Sequence, residues 1–384
     1  MLRKFIDFFK YNFSGPFQAI ISLRDLILIR IPARLNILRI AKINSKKIAV
    51  FYLTSKFPHR PTTRKEIAHG GSIKLTYLAE FFPPAFPSAN LAYIVTSVGH
   101  SMQNAILERA KHKGLKFVVN HDGVAFPAWA GDHYVEFNQI SKRVLDQADF
   151  IIYQSGFSKL SADLYLAPPK VPHEIIYNPV DTGHFCPQAV AKPNELTLLL
   201  GGNQYEKYRL ELALKTLQSL RAHVPNAHLI VTGTLWLPAR EAEEWTRNAL
   251  KDMKLTEHVT FVGAYTQAEA PLLYSRAHML LHTKYADPCP GLVPESLGCG
   301  LPVVYVGNGG VPELVQEAGI GVPVEHSWET INLPQPEKMA DAVMQVYARL
   351  NEYSKNAREQ AQKFTLDKFI DRHRDIFTKV LDLK

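Results

Sequence analysis

The stretch Asp287–Leu314, DPCPGLVPESLGCGLPVVYVGNGGVPEL, decides the fold of this chain. A Gly/Pro-rich loop runs into a short helix, the apolar run LPVVYV (301–306) follows as a buried strand, and GNGG (307–310) makes a second turn. Loop, helix, strand and turn in this order are one unit of a parallel sheet, whose ligands bind beyond the carboxyl ends of the strands. Backbone N–H groups at a helix start favour an anion, and Pro290 and Gly291 let a phosphate come close. A carboxylate one turn on, Glu295, is suited to sugar hydroxyls rather than to the anion. Phosphate beside sugar hydroxyls points to a nucleotide-sugar. Taken alone, the motif also fits a structural turn in which Glu295 opposes the helix dipole.

Working outward, the same alternation fills most of the 384 residues. KIAVFYL (47–53), LAYIVTSV (91–98) and LKFVVN (115–120) read as strands separated by helical stretches. A further helix–strand segment, ISKRVLDQADFIIYQS, and EIIYNPVD end the first array. After Pro193 the alternation restarts with LTLLLGG (196–202), AHLIVTG (227–233), HVTFVGA (258–264) and HMLLHT (278–283). Two arrays imply two Rossmann-like domains facing a cleft, over 47–190 and 195–362, joined by a linker at 181–195. Amphipathic helices are expected over 336–352 and 366–382, and the C-terminal helix, 366–384, is expected to pack back on the first domain.

Residues 1–46 differ. They carry nine Lys/Arg, from Arg3 to Lys46, against Asp7 and Asp25, interleaved with bulky apolar residues and divided by Gly15–Pro16 and Pro32. This is a basic amphipathic helical extension. It fits an anionic membrane surface, or packing on the first domain with its charges in water. The whole chain has 46% hydrophobic and 21% charged residues and a formal charge of +8, the balance of a soluble globular protein with an acidic partner. Three cysteines without CxxC spacing give neither a disulfide framework nor a zinc site, which favours a reducing compartment. There is no signal-peptide pattern and no run long enough to span a membrane. Asp-x-Asp, HExxH, GxGxxG after the first strand and GxxxxGK[ST] are all absent. These absences argue against a dedicated metal site, a nicotinamide oxidoreductase and a P-loop enzyme. The basic excess lies in the extension rather than on a face with interleaved aromatics, so no nucleic-acid partner is expected.

Four further constellations bear on the cleft. Gly201–Gly202 end a strand, with Lys207 and Arg209 shortly after; a lysine there could face a diphosphate, although lysines at helix starts are commonly solvated. Gly70–Gly71 precede a helix and admit close backbone approach, or form a plain turn. His121–Asp122 lie at a strand's carboxyl end and so face the cleft, unless Asp122 is a helix cap and His121 a surface residue. VGHSMQN (98–104) nearly matches a nucleophile elbow around Ser101, but Gln103 stands where the sharp turn needs a small residue.

Together these pieces resemble the retaining glycosyltransferases of the family four group, which have the GT-B fold. The resemblance runs from about residue 47 to the end and is strongest over 197–325. It rests on D-x7-E at Asp287 and Glu295, GCGLPVV (298–304), GNGGVPELV (307–315), NPVD (178–181) with Phe185, the pair Gly70–Gly71, and the strand-end His121. It implies that Glu295 binds the ribose hydroxyls and Asp287 the sugar hydroxyls, with His121 beside the transferred sugar. Backbone N–H groups around Gly291, Leu292 and Val293 would hold the distal phosphate. Lys207 would neutralise the leaving diphosphate in place of a metal ion, so no cofactor is expected. The family's usual arginine after the strand-end glycine is Gly202 here, for which Arg209 or Asn203 could compensate, and Asp287 replaces the usual first Glu.

The sequence therefore reads as a cytoplasmic, metal-independent transferase, peripheral on the inner membrane face through residues 1–46. It would move a sugar from a nucleotide-sugar to a glycan or lipid-linked acceptor with retention of configuration. Phe126, Trp129 and His133 are candidate acceptor contacts. The alternatives are a binding scaffold of the same fold that has lost turnover, and a serine hydrolase using Ser101.

Overall fold

The structure is a computed structural model that describes residues 31–43, 47–54, 63–67, 70–98 and 103–383. Most of the basic extension, residues 1–30 and 44–46, and Ser101 lie outside the described residues. Of the extension, Ile31–Arg39 is a helix that exposes Leu35 and Leu38.

Two parallel sheets carry the chain. A short pair, β1 (Ala41–Lys42) with β3 (Ser88–Ala89), stands beside the first of them. That first sheet has the order β2 (Val50–Leu53), β4 (Leu91–Val95), β5 (Lys116–His121), β6 (Phe150–Tyr153), β7 (His173–Ile175). Every residue of β2, β4 and β6 is buried, as expected where helices cover both faces of a parallel sheet. The second sheet contains β8 (Thr197–Leu200), β9 (His228–Thr232), β10 (Val259–Gly263), β11 (Met279–His282), β12 (Val303–Gly307) and β13 (Gly319–Pro323). Its order is β10-β9-β8-β11-β12-β13, so the winding reverses between β8 and β11. A crevice opens at such a switch point, beyond the strands' carboxyl ends. The Gly201–Gly202 turn leaves β8 there and the Asp287 loop leaves β11, which puts the two motifs side by side.

The second glycine turn holds that loop. Gly309 has φ +79°, and a Cβ on it would lie 2.6 Å from the Asp287 carbonyl oxygen, so only glycine fits. The Gly310 N–H donates to the same oxygen at 2.9 Å.

The C-terminal segment crosses between the sheets. Its helices are Pro336–Ala348, Leu350–Ala361 and Leu366–Val380, with a break at Arg349 inside the stretch expected to be one helix. The backbone of Val180 bonds to Phe364 and Leu366 on either side of the crossing. Beyond it Phe369, Ile370, Ile376 and Phe377 join the core of the first sheet with Tyr52, Leu75 and Tyr93. Within this core His373 lies 3.0 Å from the Tyr93 hydroxyl, and burial pushes its imidazole down to about 3.

A direct bond network closes the two domains on each other. Glu313 of the second domain accepts from the Gly156 and Phe157 N–H groups, both at 2.8 Å, and from the Tyr177 hydroxyl at 3.0 Å. It thus caps the helix Gly156–Tyr165 of the first domain, where a carboxylate also meets the positive end of the helix dipole. The neighbouring Ser155 hydroxyl donates to the Pro288 carbonyl at 2.6 Å. Replacing Glu313 by Ala leaves these donors unpaired. It should destabilise the fold by about 2 kcal/mol, read as a lower thermal midpoint, whereas Glu317→Ala on the exposed surface nearby should not.

Candidate functional site

A cavity of about 350 Å³ lies between the sheets at the switch point. The second domain contributes Gly202, Arg209, Lys284, Asp287, Gly291, Leu292 and Glu295, and the first contributes Gly70 and Lys74. Seven of the residues singled out from the sequence therefore meet on one surface.

Gly202 has φ +76°, in the left-handed region, and a Cβ on it would come within 3.2 Å of Leu292. An arginine at this position would be strained, which accounts for its absence. The guanidinium comes instead from Arg209, two residues into the helix Lys207–Arg221. Its Nη2 donates to the Gly201 carbonyl at 3.3 Å and its Nη1 to the Asn203 carbonyl, while Nε is buried without a partner among the described residues. Lys207 does not enter the cleft. It is exposed, with its ammonium 4.6 Å from the centre of the Trp245 ring. The cause is helical phase: residues two apart point about 200° apart, so one helix start cannot aim both cations inward.

Asp287 is buried, with Lys284 at 3.4 Å and His282 at 3.6 Å. Burial alone would raise its carboxyl, but Lys284, His282 and Arg209 draw it well below the usual carboxylate range. Asp287 is thus an ionised acceptor at any physiological pH. Among the described residues no cation lies within ion-pair distance of Glu295. The Tyr274 hydroxyl donates to it at 2.8 Å and the Gln267 amide at 3.2 Å, and burial outweighs both bonds and lifts its carboxyl to about 7. The two carboxyls of the D-x7-E motif consequently differ in charge state near neutrality.

At the loop, Gly291 and Leu292 line the cavity but Val293 does not. Val293 is fully buried and its N–H donates to the Pro290 carbonyl at 3.1 Å, so it is not available to a phosphate.

On the first-domain side Gly70 lines the cavity and Gly71 does not. A Cβ on Gly71 would meet Ser97 Oγ at 2.6 Å, so this glycine lets the helix Gly70–Phe81 pack against the end of β4. His121 is fully buried and absent from the cavity lining. Its Nδ1 lies 3.3 Å from Thr96 Oγ1, and burial pushes the imidazole down to about 4, so it is neutral. Asp122 binds Thr96 Oγ1 at 2.7 Å and the Ser97 N–H at 3.0 Å, a loop-fixing role. The aromatic candidates also lie elsewhere. Phe126 is buried edge-on against Trp328 of the second domain, with ring centres 5.2 Å apart, and serves the domain interface rather than an acceptor. Trp129 and His133 are exposed and touch Phe137; neither lines the cavity.

Two cavity cations were not singled out from the sequence. Lys284 is three residues before Asp287, an ordinary ion-pair spacing. Lys74 stands in the apolar run IKLTYLAEFF on the buried face of its helix, and a lysine in such a run is a signal in itself.

Residues 187–364 match the sequence model of the family described as glycosyl transferases, group 1. The chain carries a group 1 glycosyltransferase domain. Among curated proteins it is 25% identical over 228 residues to the GDP-mannose-dependent alpha-(1-6)-phosphatidylinositol monomannoside mannosyltransferase of Mycobacterium tuberculosis, a match covering 54% of each chain. It is 24% identical over 272 residues to one polypeptide of the human phosphatidylinositol N-acetylglucosaminyltransferase, covering 70% of this chain and 53% of that one. The chain spans about half the length of these curated relatives. Among solved structures, sucrose-phosphate synthase from Thermosynechococcus elongatus superposes with a TM-score of 0.63 at 16% identity, over 82% of this chain and 77% of that one. HepE from Anabaena, solved with UDP, gives 0.63 at 14% identity over 86% of this chain and 100% of that one. These likenesses establish the GT-B fold around the group 1 domain.

Proposed function

We propose that this group 1 chain transfers a sugar from a nucleotide-sugar to a glycan or glycolipid acceptor. The observation that carries the proposal is the shared cavity at the switch point, where Asp287, Glu295, Arg209 and Lys284 converge beneath the Gly291 loop. Glu295 accepts from the ribose hydroxyls and Asp287 from hydroxyls of the transferred sugar. Arg209, with Lys284 beside Asp287, offsets the charge that develops on the leaving diphosphate. Preorganised cations in a partly closed cleft act strongly there because water is excluded. Arg209 takes the part that the resemblance gave to Lys207.

Retention of anomeric configuration and independence of a metal ion belong to the same proposal. The first is read from the anomeric proton coupling of the product, the second from transfer in excess chelator. The relatives' names carry GDP-mannose and phosphatidylinositol, and HepE was solved with UDP, so both nucleotide series and a lipid-linked acceptor deserve trial. No helix among the described residues is long and apolar enough to cross a membrane. Membrane contact through residues 1–46 is proposed as peripheral; flotation with anionic liposomes should be lost when these residues are removed.

The direct test is thermal unfolding against a panel of nucleoside diphosphates and their sugars. A ligand that binds only the folded state at 100 times its Kd contributes about 2.7 kcal/mol. One base series should raise the midpoint by several degrees. A panel in which no member does so overturns the proposal.

A further inference from the structure

Lys74 is a buried cation on the wall of the cavity, 2% exposed. Its ammonium donates to the Asn120 side-chain oxygen at 2.9 Å and to the Gln154 side-chain oxygen at 3.2 Å. Both are neutral amides. Among the described residues no carboxylate lies within ion-pair distance of it, whereas Lys284, the other lysine on the cavity, is paired with Asp287. An ammonium has three donors, and two are used. A buried charge with no ion-pair partner is unfavourable: burial lowers the pKa of this lysine, and Asp122, beyond ion-pair distance, offsets that only in part.

The cradle around it is built. The Gln154 amide nitrogen donates to the Asp122 carbonyl, and the Asn178 amide donates to Gln154 Oε1 at 3.3 Å and to the Cys289 carbonyl at 2.6 Å. These bonds fix the Gln154 amide with its oxygen towards Lys74, and they tie its mounting to the loop that carries Asp287. A side chain held this way in a substrate cleft is aimed, with one donor left for a ligand.

We propose that Lys74 is a donor-positioning residue, whose ammonium takes an anionic oxygen of the sugar nucleotide across the cleft from Arg209. That oxygen belongs to the distal phosphate or to a carboxylate on the transferred sugar. The inference rests on the nucleotide-sugar reading above and adds a contact from the first domain. The ligand then supplies the contact counter-ion that Asp122 is too distant to provide, and binding draws the two domains onto one molecule.

The test is calorimetric titration of the full chain with uridine and guanosine mono- and diphosphates. The hexose and hexuronate esters of whichever diphosphate binds are titrated alongside. Lys74→Gln keeps a donor for the amide cradle and removes the charge. Asn120→Asp is isosteric and gives Lys74 an internal counter-ion, so it tests the same point should Lys74→Gln not fold. A contact with the distal phosphate predicts that each variant weakens the diphosphate about 10–100-fold and leaves the monophosphate unchanged. A contact with a sugar carboxylate predicts that only the hexuronate ester weakens, by a similar factor. Unchanged affinities for all ligands, or equal losses for mono- and diphosphate, overturn the assignment while leaving the nucleotide-sugar reading in place. A wild-type chain that binds no nucleotide overturns both.

Discussion

Arg209→Met should lower sugar transfer at least ~100-fold, while Lys207→Ala should leave it within about twofold. The expectation follows from where the two cations point. Of the five N–H donors on a guanidinium, Arg209 uses one on each Nη for the Gly201 and Asn203 carbonyls. The Nε–H is buried without a partner among the described residues, and Arg209 lines the cavity with one N–H on each Nη left over. A diphosphate satisfies them in a planar fork that an ammonium cannot imitate. Lys207, solvated over Trp245, has no path to that charge. Because Arg209 also pins the Gly201–Asn203 turn, its loss could act through shape alone. Arg209→Lys separates the two effects, since it keeps the charge and loses the fork. Partial recovery of turnover with normal thermal unfolding marks an electrostatic role. A Lys207→Ala variant as impaired as Arg209→Met would restore the sequence-based assignment and remove this one.

The contrast between the two cations shows how far the sequence could be read. The sheets were legible because β2, β4 and β6 are continuous apolar runs and β8 and β11 nearly so, broken only by Thr197 and His282, the pattern of strands buried on both faces. Gly202 was visible as a departure, but the reason for it, a left-handed backbone against Leu292, is a tertiary fact. Lys207 and Arg209 could not be ranked without the phase of the helix, which depends on where it starts. His121 shows the limit of the rule that strand ends face the cleft: Lys74, with Asn120 and Gln154, occupies that side while the imidazole turns inward against Tyr153. Phe126 was misplaced because an aromatic residue in a loop looks the same whether it meets a ligand or, as here, Trp328 of the facing domain. Lys74 was legible in principle, as a charge inside an apolar run, but a single buried lysine has no meaning until its neighbours are known to be neutral.

Glu295 carries the second large expectation, and it concerns pH. Burial outweighs the Tyr274 and Gln267 bonds and pushes its carboxyl up to about 7, against an ordinary value near 4.5. A raised carboxyl means that the folded state holds the proton more tightly, so stability falls as pH rises from about 4.5 through about 7 and is level above that. The gap corresponds to about 3 kcal/mol at full ionisation, an order-of-magnitude figure. Glu295→Gln removes the titration and keeps two polar atoms for Tyr274 and Gln267. It should therefore match the wild type in thermal midpoint at pH 5 and exceed it by several degrees at pH 8. Donor binding should move in the opposite sense. Two ribose hydroxyls need acceptor oxygens, which the carboxylate supplies and the protonated acid or the amide supplies less well. Wild-type donor affinity should improve as pH rises through 7, and Glu295→Gln should lose both that dependence and at least ~100-fold in transfer. A stabilised variant that also transfers sugar normally would place Glu295 in the core of the fold and take it out of the donor site.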